Sequence, residues 1–205
     1  MNDRKTILFG GTFDPIHLGH TKVAAYALEQ IGAEKIIFIP AKRSPLKSCF
    51  PFASDADRFS MTTIAAKENT SFEVSDYELK GSDPSYTLQT VKHFMQESGK
   101  DMLLYWLIGA DGITELAHWY GIEELVDMCR LSVMYRAGCD KPDFTPLTAT
   151  LGPKRVKKLH DNIIKTPLID ISSTEIRRRL AEGLDVKDML NPAVAEYINI
   201  HGLYR

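Results

Sequence analysis

KTILFGGTFDPIHLGH, residues 5–20, runs from a short apolar stretch through Gly10 and Gly11 into a segment where Leu18, Ala24, Ala25, Leu28 and Ile31 recur at near-helical spacing. An apolar run of strand length, stopped by glycine and followed by a helical period, predicts a strand that turns directly into a helix over residues 18–31. KIIFIP, residues 35–40, is a continuous apolar stretch rich in isoleucine, as expected of a strand covered on both faces. Pro40, Pro45 and Pro51 mark a loop after it, and Ser54 starts a helix that reaches to about residue 69. FEVSDYEL, residues 72–79, reads as extended, and residues 85–96 as a helix. MLLYWLIG, residues 102–109, is the most hydrophobic stretch of the chain and therefore a central strand.

Residues 131–135 add a short strand, and residues 137–150, of mixed polarity with Gly138, Pro142 and Pro146, read as a loop. A short basic helix over 151–160 and a last strand region, IIKTPLIDI at 163–171, follow. Ser172 opens a well-marked helix, and PAVAEYINIHGLY, residues 192–204, closes as a helix with Pro192 in its first turn and Gly202 near its end. Strands alternating with helices over short links predict an α/β fold, a parallel sheet with helices on both faces. One domain over residues 1–205 is expected, its C-terminal part helical from about residue 172.

With 205 residues, 44% of them hydrophobic, the chain can bury one sizeable core, which argues against two full domains. The 25 Lys and Arg nearly balance the 27 Asp and Glu, so no basic field points to nucleic acid or an anionic membrane surface. A small-molecule partner is expected. Cys49, Cys129 and Cys139 have no CxxC spacing and read as buried thiols of a reducing compartment. The opening MNDRKTILFGG contains an apolar run too short for a signal-peptide core or a membrane span, which places the chain in the cytoplasm. Composition leaves the oligomeric state, including a homo-oligomer, open.

Ligands of open parallel sheets bind at the carboxyl ends of strands, so the loops that follow strands carry the chemistry. In GGTFDPIHLGH, residues 10–20, paired glycines let backbone approach a phosphate, and a helix N-terminus supplies unpaired N–H groups. His17 and His20, three apart, fall on one side of the opening turn and offer two donors to one anion. Taken alone, Gly10 and Gly11 equally fit a tight turn, and two histidines without a third ligand make no case for zinc. In IDISSTEIRRRL, Ser172 and Glu175 form a capping box. Ser173, Thr174 and Arg177 exceed the needs of a cap and surround an anion site, whereas Arg178 and Arg179 read as solvated charges. IGAD, residues 108–111, puts Gly109 and Asp111 after the central strand, where the carboxylate could accept from ribose hydroxyls or simply cap the next helix.

GTFDPIHLGH together with ISSTEIR resembles the nucleotidylyltransferase superfamily, whose two motifs have the forms HxGH and ISSTxIR. SYTLQT (residues 85–90), IGAD, HWY (118–120) and the closing PAVAEYINIHGLY are similar to the bacterial nicotinate-nucleotide adenylyltransferases, so the likeness covers nearly the whole chain. The resemblance implies a Rossmann-like sheet of the nucleotidyltransferase type and transfer of the adenylyl group of ATP to nicotinate mononucleotide. It implies that Gly10, Gly11, Thr12 and Phe13 belong to the ATP site, that His17 and His20 hold ATP phosphates, and that Ser173, Thr174 and Arg177 hold the outgoing pyrophosphate. Gly109 and Asp111 would line the ribose and base sites, and Arg136 would sit beside the adenosine. Trp119 would stack on the pyridine ring, with Ser85, Tyr86, Thr87 and Tyr120 around its carboxylate. The chain departs from the family at two points: SPLK, residues 44–47, has Leu46 where PPHK is common, and Gln89 stands where YTxDT has Asp. Lys47 remains available for phosphate.

The acceptor's own phosphate is already dianionic near neutral pH, so no serine or cysteine nucleophile is needed. The protein must align that oxygen with the α-phosphorus and stabilise charge on the leaving pyrophosphate, work that suits His17, His20, Lys47 and Arg177. Mg2+ is expected to arrive on the ATP phosphates rather than in a carboxylate cage. Two rival readings remain: adenylyl transfer to another phosphorylated acceptor, such as nicotinamide mononucleotide or phosphopantetheine, and a catalytically silent nucleotide-binding regulator.

Overall fold

A computed structural model of the chain describes residues 4–43, 45, 49–98, 102–109, 112–136, 141–167 and 169–205. The apolar runs become strands: β1 (Arg4–Gly11), β2 (Lys35–Pro40), β3 (Phe72–Val74), β4 (Met102–Gly109), β5 (Arg130–Arg136) and β6 (Ile163–Thr166). The periodic segments become helices: α1 (Leu18–Ile31), α2 (Asp55–Ala66), α3 (Tyr77–Lys80), α4 (Thr87–Ser98), α5 (Ile122–Met128), α6 (Thr148–Asp161), α7 (Ser173–Ala181) and α8 (Pro192–Ile200). The strands pair in the order β3-β2-β1-β4-β5-β6, every pair parallel. That order reverses between β1 and β4, the place where open α/β sheets bind ligands.

Side chains alternate along each strand and divide the core in two. Ile7, Phe9, Phe38 and Leu107 face one layer, where Ala24 and Ala27 of α1, Met61 of α2, Ile176 of α7 and Val194 and Ile198 of α8 pack against them. Leu8, Ile39, Trp106 and Val133 face the other, filled by Val91 of α4, Leu125 of α5 and Leu159 of α6. Both faces of the sheet are thus covered, which is why its strands are continuous apolar runs. Helices α7 and α8 share the layer of α1 and α2.

Three local expectations change. Residues 72–79 are not extended throughout: the strand ends at Val74, and α3 follows. The Ser75 hydroxyl accepts from the Tyr77 N–H at 3.2 Å, a local bond that turns the backbone out of the ladder. Residues 137–150 are not all loop. A 3-10 turn spans Thr145–Leu147 and α6 begins at Thr148, because Phe144 and Leu147 are apolar anchors buried in the core. The helix breaks at Gly152 (φ 73°), immediately before Pro153, so the predicted start near residue 151 marks the kink. Cys129 is buried as expected, whereas Cys49 is exposed in the loop between β2 and α2; Cys139 lies outside the described residues. Among the described residues no helix is long and apolar enough to cross a membrane.

Gly10 is required by packing. A Cβ there would lie 2.4 Å from Cζ2 of Trp106, a buried ring on the neighbouring strand. Gly10→Ala is therefore expected to destabilise the fold by about 2 kcal/mol, the usual cost of overpacking a core, read as a lower urea midpoint at unchanged slope.

Candidate functional site

The loop from Thr12 to His17 leaves the end of β1 and delivers the chain to α1. His17 is the N-cap of α1, with extended backbone (φ −145°, ψ 170°), and His20 sits one turn later. Their rings stack with centroids 3.7 Å apart and 27° between planes, so the three-residue spacing does bring both imidazoles to one side. The His17 amide donates to Nδ1 of His20 at 3.3 Å, which leaves the proton of a neutral His20 on Nε2. His17 is only 7% exposed, and its Nδ1 has no hydrogen-bond partner among the described residues. Burial pushes its pKa down to about 4, so the free protein carries a neutral imidazole here at neutral pH.

α7 docks on this loop from the far end of the sequence. Ser172 caps the helix by accepting from the Glu175 amide at 3.2 Å. Ser173 Oγ donates to the Pro15 carbonyl at 2.9 Å, and Arg177 Nη1 donates to the Asp14 carbonyl at 2.6 Å. Arg177 also donates from Nη2 to Thr174 Oγ1 at 3.3 Å. The two distant turns therefore converge on one cavity of about 910 Å3, lined by His17, His20, Ser173, Thr174 and Arg177. Arg178 and Arg179 point away, paired with Glu175 on the exposed face.

A second cavity, of about 460 Å3, opens beside the first over the ends of β1 and β4 and contains Ser85, Tyr86, Thr87, Trp119 and Tyr120. Tyr86 and Tyr120 contact each other with ring centroids 5.0 Å apart. Ser85 Oγ accepts from the Lys42 amide at 3.1 Å, tying the start of α4 to the loop after β2. Phe9, Thr12 and Gly109 line both cavities, so the two spaces meet at the carboxyl ends of the central strands. Each falls in the volume range of small-molecule sites.

The geometry adds detail to several expectations. Gly10 and Gly11 line the smaller cavity rather than the one with the histidines, and a Cβ at either would press on the Trp106 or the Phe13 ring, so packing also demands them. Phe13 lines neither cavity. Its ring is 2% exposed and packs edge-on to Phe9 and His20, with its backbone at φ 47°. The Ser173 hydroxyl is committed to Pro15 and serves docking. Gln89 is exposed and off the smaller cavity, so the carboxylate missing there leaves the cavity wall intact. Lys47, Leu46, Asp111 and the side chain of Arg136 lie outside the described residues.

Four further residues shape the site. Arg58, fully buried, donates to the Thr12 carbonyl at 2.8 Å and the Ala41 carbonyl at 2.6 Å, clamping together the loops that follow β1 and β2. Asp14, 4% exposed, accepts from Phe52 N, Ala53 N and the Tyr204 hydroxyl. Glu78 sits in the wall of the smaller cavity, held by Thr90 Oγ1 at 2.6 Å, and burial pushes its pKa up. A charged residue in an apolar helical period, as at Arg58, was the available signal; nothing local in the sequence marks Tyr204.

Comparison with known proteins follows this geometry. A cytidylyltransferase-like family model matches residues 8–179. A Rhodopirellula baltica protein named "Probable nicotinate-nucleotide adenylyltransferase" is 35% identical over 97% of this chain and 92% of its own length. A Clostridium tetani protein of the same name is 37% identical over 98% of this chain and 100% of its own. Among solved structures, Plasmodium falciparum nicotinic acid mononucleotide adenylyltransferase complexed with NaAD shares the fold, with TM-score 0.73 at 21% identity, covering 98% of this chain and 97% of that one.

The buried His17 ties stability to pH. Its folded pKa of about 4 lies below the unfolded value of 6.5, so its neutral form contributes fully above pH 6.5, and that contribution is lost as pH falls toward 4. Relative to His17→Gln, the wild-type chain should lose about 3 kcal/mol of stability between pH 7 and pH 4, measured by urea unfolding of both proteins at each pH.

Proposed function

Because the chain belongs to the cytidylyltransferase-like family, and its relatives along nearly the whole length bear the name nicotinate-nucleotide adenylyltransferase, we propose that it transfers the adenylyl group of ATP to nicotinate mononucleotide in NAD biosynthesis. The observation that carries this reading is the junction of two cavities at Phe9, Thr12 and Gly109, one bearing the imidazole pair and Arg177, the other the aromatic residues Tyr86, Trp119 and Tyr120. MgATP occupies the larger cavity and the mononucleotide the smaller. A phosphate oxygen of the mononucleotide attacks the α-phosphorus at the shared lip. The new P–O bond forms as the bond from the α-phosphorus to the bridging oxygen breaks, and pyrophosphate departs.

His17, neutral in the free protein, and His20 donate to phosphate oxygens, and the triphosphate's charge favours protonation of His17 as it binds. Arg177 holds the β and γ phosphates that become pyrophosphate. The carboxylate of Asp14 in the same cavity is already engaged by three protein donors, so a Mg2+ ion would come held by the ATP phosphates, where it would neutralise charge on the leaving group. Lys47, Asp111 and Arg136 take the acceptor phosphate, the ribose and the adenosine on the strength of the motif resemblance.

Preference for the acid over the amide arises at the opening turn of α4, where Tyr86 and Thr87 line the smaller cavity and the helix start favours a carboxylate. Glu78 in the same wall works against an anion, and its hydrogen bond from Thr90 together with its raised pKa limits that opposition.

Pyrophosphate release from MgATP with a panel of acceptors tests the assignment. Nicotinate mononucleotide should exceed nicotinamide mononucleotide by at least about tenfold in kcat/KM, equivalent to one favourable charged contact, and phosphopantetheine should give none. Equal efficiency on acid and amide discards the α4 argument, and failure of every acceptor to support release discards the enzyme. His17→Ala serves as the control, retaining its fold while losing about 100-fold or more in kcat. Trp119→Ala should raise the mononucleotide KM about tenfold through the loss of stacking while leaving the ATP KM within about twofold, a split read from initial-rate kinetics.

A further inference from the structure

Asp14 is held from two sides. Its carboxylate accepts from the Phe52 amide at 2.7 Å (Oδ2), from the Ala53 amide at 3.1 Å and from the Tyr204 hydroxyl at 2.7 Å (both Oδ1). Its main-chain oxygen accepts Arg177 Nη1 at 2.6 Å. Phe52, whose amide grips the carboxylate, also places its ring under the same guanidinium, with Cζ of Arg177 4.6 Å from the ring centroid. Asp14, Phe52 and Arg177 therefore close a ring of contacts, and rotation of Asp14 would remove both the acceptor and the stacking face of Arg177. Tyr204 is the outside brace of that ring, 190 residues away in sequence.

Two features separate this brace from an ordinary packing contact. Tyr204 holds a left-handed backbone (φ 63°), which side-chain-bearing residues disfavour and retain only where their surroundings enforce it. Its hydroxyl is half-buried and bonded to a carboxylate, and both effects push its ionisation far above the ordinary range, so it remains a donor at every working pH. Arg177 commits one N–H to Asp14 and one to Thr174 among the described residues, and the rest of its five donors stay available to the larger cavity it lines.

We propose that Tyr204, acting through Asp14 and the Phe52 ring, is a positioning residue that fixes the Arg177 guanidinium against the departing pyrophosphate. This rests on the adenylyl-transfer reading above. A mere fold contact would affect both substrates alike, whereas a device aimed at Arg177 acts on the pyrophosphate end alone.

The reverse reaction, ATP formation from nicotinate adenine dinucleotide and pyrophosphate, reads that end directly. In Tyr204→Phe the pyrophosphate KM should rise about fivefold to tenfold, the scale of one charge-assisted hydrogen bond, with the forward kcat falling and the nicotinate mononucleotide KM staying within about twofold. Phe52→Leu, at an exposed ring and so without risk to the fold, should give the same pattern, and Phe52→Tyr should restore it. An unchanged pyrophosphate KM in both Tyr204→Phe and Phe52→Leu, or a parallel rise in the KM of both substrates, overturns the inference. Wild-type protein that forms no ATP overturns the function beneath it as well, so wild-type turnover tells the two failures apart.

Discussion

The docking of α7 onto the loop that follows β1 is the contact on which the site depends. Two side-chain bonds, Ser173 to Pro15 and Arg177 to Asp14, join segments 158 and 163 residues apart. Both acceptors are main-chain carbonyls, so the bond geometry fixes the backbone of the loop and not only a rotamer. Without that docking, the imidazoles and the guanidinium would stand on independent elements. With it, they form one wall of the larger cavity, and on the proposed assignment the preorganised donors need no rearrangement when charge develops on a phosphate.

Beneath this wall lies Arg58, which binds the carbonyls of Thr12 and Ala41 from within the core. Burying a guanidinium is costly, and this one is compensated by carbonyl oxygens and by Asp55 at the end of its own helix turn. What results is a fixed separation between the loops of β1 and β2, the first of which flanks the reversal of strand order. The same logic of burial acts on His17, where removal from water keeps the ring neutral at neutral pH. Charge is thus stored in residues that are held rigidly, while the group that must respond to the ligand starts uncharged.

Much of this was legible in the sequence because it is local. Apolar runs of strand length, the glycine stop at Gly109, the Ser54 and Ser172 caps and the Pro192 start each report on neighbouring residues only, and the structure bears them out. The HxGH and ISSTxIR segments were legible as helix openings for the same reason, since each can be read by itself. The failures are of another kind. Residues 72–79 show a strand-like pattern, but Ser75 redirects the backbone through one hydroxyl. The pairing of Gly10 and Gly11 gives no hint of a packing demand that comes from Trp106 on a strand nearly a hundred residues later and from the neighbouring Phe13 ring. Asp14, Arg58, Glu78 and Tyr204 acquire their parts only through partners brought in by the fold, and periodicity carries no record of such partners.

The common lip of the two cavities, formed by Phe9, Thr12 and Gly109, has a bearing on how a catalytic cycle ends. On the proposed assignment the dinucleotide straddles that lip and is held in both cavities at once, whereas pyrophosphate lies in the larger cavity alone. The small product can escape while the large one is still seated, after which re-formation of ATP lacks a reactant. Forward commitment then follows from the shape of the chamber, with no moving part required.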